Sequence, residues 1–226
     1  MTALNKRIAD IPIPRRMSRL PISDEGFPVP WFVPFLDGKP EFRGADPVKL
    51  RHAISYHKCW LCGEPCGKYM TFVIGPMCAI TRTTSEPPCH HACATYAVLA
   101  CPFLTQPRMR RNERHLPEHA APAAGIAIQR NPGVTALWTT NLYKLIRVAP
   151  EPGRVQGGVL FRIGDPTNLE FYGEGRHATY DEVMQSINTG IPILMAEAEK
   201  DGPEGVAELG QYIDRALSLV AKMGAQ

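Results

Sequence analysis

Cys59-Trp60-Leu61-Cys62-Gly63, followed further along by Cys89-His90-His91-Ala92-Cys93, is the stretch whose reading decides the fold. Two thiolates three residues apart converge on one ion only from a tight turn, and a glycine directly after them lets the backbone turn beneath. His90 and Cys93 have the same spacing, which on a helix puts an imidazole and a thiolate on one face. Cys59, Cys62, His90 and Cys93 together make a three-thiolate, one-imidazole set suited to a single Zn2+ in tetrahedral coordination. Four protein ligands fill that shell, which describes a structural site without an open position. Cys66, Cys78, Cys89 and His91 are nearby spares, and Cys89 and Cys93, four apart, also share a helix face. The competing readings are core cysteines beside a core histidine, or an iron–sulfur cluster.

The elements between the two pairs fit the first reading. Asp46-Pro47 starts a helix that delivers the chain to Cys59, with aspartate as N-cap and proline in the first position. Tyr69 to Ile74 has strand composition, Gly75-Pro76 punctuates it, and Met77 to Ile80 reads as a return strand. Pro87-Pro88 then marks the start of a helix reaching about Ala100. A knuckle, a short hairpin and a helix whose first turn supplies the second pair is the order found in treble-clef zinc sites, which this segment resembles.

Working outward, residues 1–26 mix basic residues with Pro12, Pro14 and Pro21 and read as an extended arm. Phe27 to Arg43 interleaves aromatics and prolines around an Asp37-Gly38 turn, and Phe27, Trp31, Phe32 and Phe35 read as anchors that dock this loop on a core. Residues 27–115 form the zinc-binding region, and 116–226 an α+β region that is either separate or continuous with it. The segments VTALWTT, KLIRVA, GGVLFRIG and NLEFYG after Gly133 read as an antiparallel four-stranded meander. Thr179 and Glu182 form a capping box for a helix ending near Gly190. A last helix starts near Pro203, with Val206, Leu209, Ile213, Leu217 and Val220 along one face. The expected class is α+β: a treble-clef-like zinc segment, a four-stranded antiparallel sheet and two C-terminal helices.

Composition narrows the function. All 7 cysteines fall between Cys59 and Cys101, which suits metal chemistry in a reducing compartment and not a disulfide framework. No apolar run follows the basic N-terminal residues, and Ala92 to Leu104 is too short to span a bilayer, so a cytoplasmic location without membrane contact is expected. Up to His115 the chain has 16 Lys or Arg against 9 Asp or Glu, and beyond it 9 against 13, so the halves carry +7 and −4. A moderately basic, zinc-ordered half points to a nucleic-acid or protein partner, with Arg108, Arg110, Arg111 and Arg114 as candidate phosphate contacts.

The run CWLCGEPCGKYMTFVIGPMCAITRTTSEPPCHHACATYAVLACPFL, with VPWFVPFLDGKPEFR before it and EGRHATYDEVMQSINTG after it, resembles a family of uncharacterised bacterial and bacteriophage proteins. The resemblance brings no activity. It implies metal-ligand residue types at Cys59, Cys62, His90 and Cys93, while the positions of Cys66 and Cys89 need not be cysteine. Two enzyme-like or ligand-binding alternatives stand beside the binding module. One is a metal-dependent nuclease with His91 as base and Asn112 or His115 as metal partner, although residues 69–80 lack the histidine such a hairpin carries. The other is a small-anion pocket formed by Glu174, Arg176, His177 and Asp181, where Asp181 and Glu182 equally serve as ordinary first-turn helix residues.

Overall fold

The computed structural model describes residues 3–106, 123–126 and 133–222. Arg108, Arg110, Arg111, Arg114, Asn112 and His115 lie outside the described residues. In chain order the N-terminal half contains strands β1 (Phe35–Leu36) and β2 (Lys39–Pro40), helix α1 (Pro47–Ser55), strand β3 (Met70–Ile74), helix α2 (Pro76–Thr81), strand β4 (Thr83–Thr84), and helices α3 (His91–Ala100) and α4 (Pro102–Thr105). The C-terminal half contains strands β5 (Thr135–Thr140), β6 (Tyr143–Val148), β7 (Gly158–Ile163), β8 (Asn168–Gly173) and β9 (Arg176–His177), then helices α5 (Tyr180–Ala198) and α6 (Gly202–Ala221).

Local chemistry explains most of these boundaries. The Asp46 carboxylate accepts the Val48 and Lys49 N–H groups and Pro47 occupies the first turn of α1, as expected. The Asp37-Gly38 turn joins β1 to β2. Met77 to Ile80, expected as a strand, is instead helical in α2: Pro76 fixes its φ at a helix N-terminus behind the Gly75 cap, and Cys78 and Ala79 do nothing to oppose the helix. Residues 3–26, expected to be an extended arm, fold through turns and a short 3-10 helix (Arg15–Met17), because Ile8 and Met17 are buried against the cysteine lobe.

A four-stranded antiparallel sheet is present, but its strands are not the expected four. Its order is β3-β5-β8-β9, and a second antiparallel sheet has the order β4-β7-β6. The four segments expected as a meander form one long hairpin bent in the middle, with β6 paired to β7 in one sheet and β5 to β8 in the other. The bend is closed by Thr140, whose hydroxyl donates to the Asp165 carbonyl at 2.9 Å, and by the Trp138 indole N–H, which donates to the Gly164 carbonyl at 2.9 Å. The Arg82 guanidinium, almost wholly buried, reaches the Asp165 carboxylate at 2.9 Å and fixes the same corner from the end of α2. Strands from before and after the expected boundary therefore share sheets: β3 flanks β5, and β4 flanks β7.

Strand β5 is buried along its whole length because it separates two cores. Ala136 and Trp138 face one, with Phe72, Phe161, Phe171, Val183, Ile187 and Leu209, under α2, α5 and α6. Leu137 faces the other, with Cys59, Trp60, Cys93, Tyr96 and Val98. The apolar face of α6 packs on α5 and α2 as its 3.6-residue pattern predicts. Helix α5 runs on through Gly190 and Pro192 to Ala198, past its expected end. A side chain at Gly190 would meet Met77 Cγ at 3.0 Å, so this glycine is a close contact between α5 and α2 and not a stop.

The capping box of α5 forms: the Thr179 hydroxyl accepts the Glu182 N–H, and the Glu182 carboxylate accepts the Thr179 N–H. Arg176 also grips Glu182, and these bonds hold its carboxyl down at about 2, below its ordinary 4.5. A depressed carboxyl stabilises the fold above its unfolded pKa, and that stability is lost as pH falls from 4.5 toward 2. Glu182→Gln is expected to cost about 1 kcal/mol at pH 7, and the gap from wild type should close as pH falls through that window, read from paired urea melts.

Candidate metal centre

The turn after α1 forms the first half of the site. The Gly63 N–H donates to the Cys59 carbonyl and the Cys59 N–H to the Glu64 carbonyl, so the chain folds back on itself within five residues. Gly63 has φ +76°, and a side chain there would lie 2.6 Å from the Trp31 ring. Glycine is thus required twice, by the left-handed backbone and by the indole packed on it. Phe32 stacks on Trp60 at 4.7 Å and the Trp31 N–H donates to the Leu61 carbonyl, so these two aromatics anchor the turn as expected. Phe35, by contrast, is exposed.

The second half arrives from β3. Thr71 and Cys89 exchange two backbone hydrogen bonds, of 2.9 and 2.8 Å, in an isolated antiparallel bridge. This bridge sets His90 as the N-cap of α3 and Cys93 in its first turn. The helix begins three residues later than Pro87-Pro88 suggested.

The ligand atoms of Cys59, Cys62, His90 and Cys93 all lie within 4.8 Å of one another. His90 Nδ1 is 3.4 Å from Cys62 Sγ and 4.0 Å from Cys93 Sγ. Tetrahedral bonds of about 2.3 Å to sulfur and 2.0 Å to nitrogen put N and S roughly 3.5 Å apart, so the donors stand close to coordinating separation. His90 Nε2 lies 3.0 Å from the Pro65 carbonyl, which can only accept; the ring proton therefore sits on Nε2 and the Nδ1 lone pair faces the thiols. The His90 backbone N–H points to Cys59 Sγ at 3.4 Å. Cys59, Cys62 and Cys93 are buried. Hydrogen bonds from the thiols of Cys62, Cys66, Cys89 and Cys93 hold the Cys59 thiol far below its usual range. The bond to Cys59 pushes Cys62 up to about 11, and Cys66, Cys89 and Cys93 are raised for the same reason. A cation at the centre replaces those shared protons.

The spare residues take other places. Cys66 and Cys89 touch Cys59 but stand outside the four-donor group. Cys78 lies in α2 beside the other core, where burial pushes its thiol up to about 11. His91 points away, its Nε2 2.7 Å from Glu170 Oε1 on β8. Asn168 and Tyr172 also donate to Glu170, at 2.6 and 3.0 Å, and His177 Nε2 is 3.2 Å from the Tyr172 hydroxyl. Burial pushes Glu170 up, but its three donors outweigh that and its carboxyl lies below the ordinary range. Sequence reading missed Asn168, Glu170 and Tyr172; their signal was the i, i+2, i+4 spacing that puts all three on one strand face.

Of the Glu174, Arg176, His177 and Asp181 group, Arg176 is tied to the helix start and His177 to Tyr172. Arg176 forms two bonds to Glu182, of 2.7 and 2.9 Å, and lies 3.6 Å from Glu174, so its charge is already matched by carboxylates. Among the described residues no helix is long and apolar enough to cross a membrane. No protein family, curated protein or solved structure matches this chain.

Elemental analysis is expected to find one divalent transition metal ion per chain. Cys62→Ser or Cys93→Ser should weaken its retention against a chelator more than about a hundredfold, whereas Cys78→Ser should leave it unchanged.

Proposed function

We propose that this chain is a zinc-stabilised, non-catalytic binding protein of bacterial or phage type that contacts nucleic acid through its basic N-terminal half. The observation that carries the reading is the enclosed three-cysteine, one-histidine cluster. With all four positions supplied by the protein, a bound zinc ion has no vacancy for water or substrate, and its role is to hold two chain segments together. Such a site contributes on the order of 10 kcal/mol to folding, which suits a proline-rich half built from short elements. A turn that carries Cys59 and Cys62 and a helix whose first turn carries Cys93 support a treble-clef-like reading of this segment. In place of its hairpin this chain has the single Thr71–Cys89 bridge, because β3 is drawn into the sheet with β5.

The choice of nucleic acid rests on charge. The half up to His115 has an excess of seven positive charges. Polyanion binding follows the release of counterions, so affinity must fall steeply with salt.

Fluorescence anisotropy with labelled DNA and RNA, from about 50 to 200 mM salt, is expected to give a log–log slope of roughly −3, as about four phosphate contacts produce. Removing the metal with a chelator should abolish binding together with the far-ultraviolet signal of the folded N-terminal half. A protein that keeps its zinc but binds no nucleic acid at low salt sinks the reading and turns the search to a protein partner.

A further inference from the structure

Between Pro47 and Ser85 the only acidic residue is Glu64, and between Gly133 and Pro150 there is none. The fold brings these segments to one surface. The Cys66 N–H donates to the His57 carbonyl at 2.7 Å, and His57 Nδ1 lies 2.9 Å from the Tyr143 hydroxyl. Met70 pairs with Thr140 at the end of β3, which brings Tyr69 beside the β5–β6 turn. The C-terminus of α1, the segment from Cys66 to Tyr69 and the turn before β6 therefore meet around the His57–Tyr143 contact.

Three features of this surface point to a ligand. Tyr56, Tyr69 and Leu142 are 62%, 56% and 58% exposed, which is unusual for large apolar side chains that could have been covered. Lys58 and Lys68 form no ion pair among the described residues; their ammonium groups lie 5.5 Å from the Trp31 ring and 5.6 Å from the Tyr69 ring. Glu64 is already held by Arg16 and Arg19. His57 has φ +48°, a left-handed conformation uncommon outside glycine, and it stands in sequence between Tyr56 and Lys58.

We infer that this surface binds single-stranded nucleic acid, with Tyr56 and Tyr69 as base-stacking platforms and Lys58 and Lys68 against the phosphates. The inference rests on the nucleic-acid reading above and specifies its surface and strand form. Exposed tyrosine rings engage bases that are already unstacked, whereas a duplex hides base faces and offers only its backbone and groove edges. Lysines beside the rings suit a backbone that follows the stacked bases, and Asp165, the carboxylate next to the Leu142 turn, is already matched by Arg82 and Arg215.

The test uses anisotropy with labelled oligothymidylate, oligouridylate and a mixed-sequence duplex, on zinc-loaded full-length protein. Tyr56→Ala and Tyr69→Ala are each expected to weaken single-strand binding on the order of tenfold, with Tyr69→Phe restoring it. The Lys58→Ala/Lys68→Ala double variant should flatten the salt slope by about 1.4. Because all four side chains lie at the surface, zinc content and melting temperature should match wild type, which separates lost contacts from lost folding. Wild-type binding that survives both tyrosine changes within about twofold, or that prefers the duplex, overturns the inference and leaves the nucleic-acid reading standing. Absence of binding to every probe at low salt overturns both.

Discussion

Thr71 is where the two halves of the chain are locked together. Its backbone N–H and carbonyl both turn toward Cys89, on the side of the metal centre. Its register partner on the other side is Thr139, so that pair cannot share backbone hydrogen bonds. Pairs of this type bring side chains closest, and the two hydroxyls meet at 2.8 Å in a fully buried position. One residue thus fixes Cys89, and through it His90 and Cys93, relative to the central strand β5. The second pair of ligands is placed by the sheet, not by α3 alone. The metal region and the C-terminal sheet depend on each other, and β5 is buried on both faces for that reason.

The candidate centre was legible in the sequence because its determinants are local. Each pair of ligands is set by a three-residue spacing, and only their meeting needed the fold. The capping box at Thr179, the Asp46 cap and the apolar face of α6 were legible on the same grounds. The bent hairpin was not, since four apolar segments separated by turn residues describe a meander and a folded hairpin equally well. What decides between them is long-range: Arg82 reaching Asp165, Thr140 bonding across the bend, and the insertion of β3 and β4 beside β5 and β7. Gly190 misled for a related reason. Glycine near the end of an apolar pattern reads as a cap, but this one accommodates Met77 from α2, a contact no local pattern encodes.

The charge distribution around the centre also has a local logic. Around a divalent ion, three thiolates and a neutral imidazole would leave a net charge of −1. Arg16 and Arg19 bring two positive charges beside the centre and Glu64 one negative, so the cluster and its neighbours sum to zero. Arg16 also feels Cys62 and Cys93 directly, which raises its pKa further after the larger contribution from Glu64. These arginines are therefore engaged in balancing the centre and have little charge left to offer a partner.

For the polyanion contact proposed above, that balance limits which charges of the basic half can take part. Charges already matched by carboxylates or by thiolates contribute little to phosphate binding, because forming the new contact means giving up the old one. Arg16, Arg19 and Arg43 are matched in this way, and the buried Arg82 is matched by Asp165. Lys58 and Lys68 instead rest on aromatic rings, contacts that leave the ammonium group hydrated and available. Lys58 and Lys68 thus keep charge in usable form beside the turn that holds Cys59 and Cys62. The turn that holds Cys59 and Cys62 also sets His57 against Cys66, through the Cys66 N–H to the His57 carbonyl.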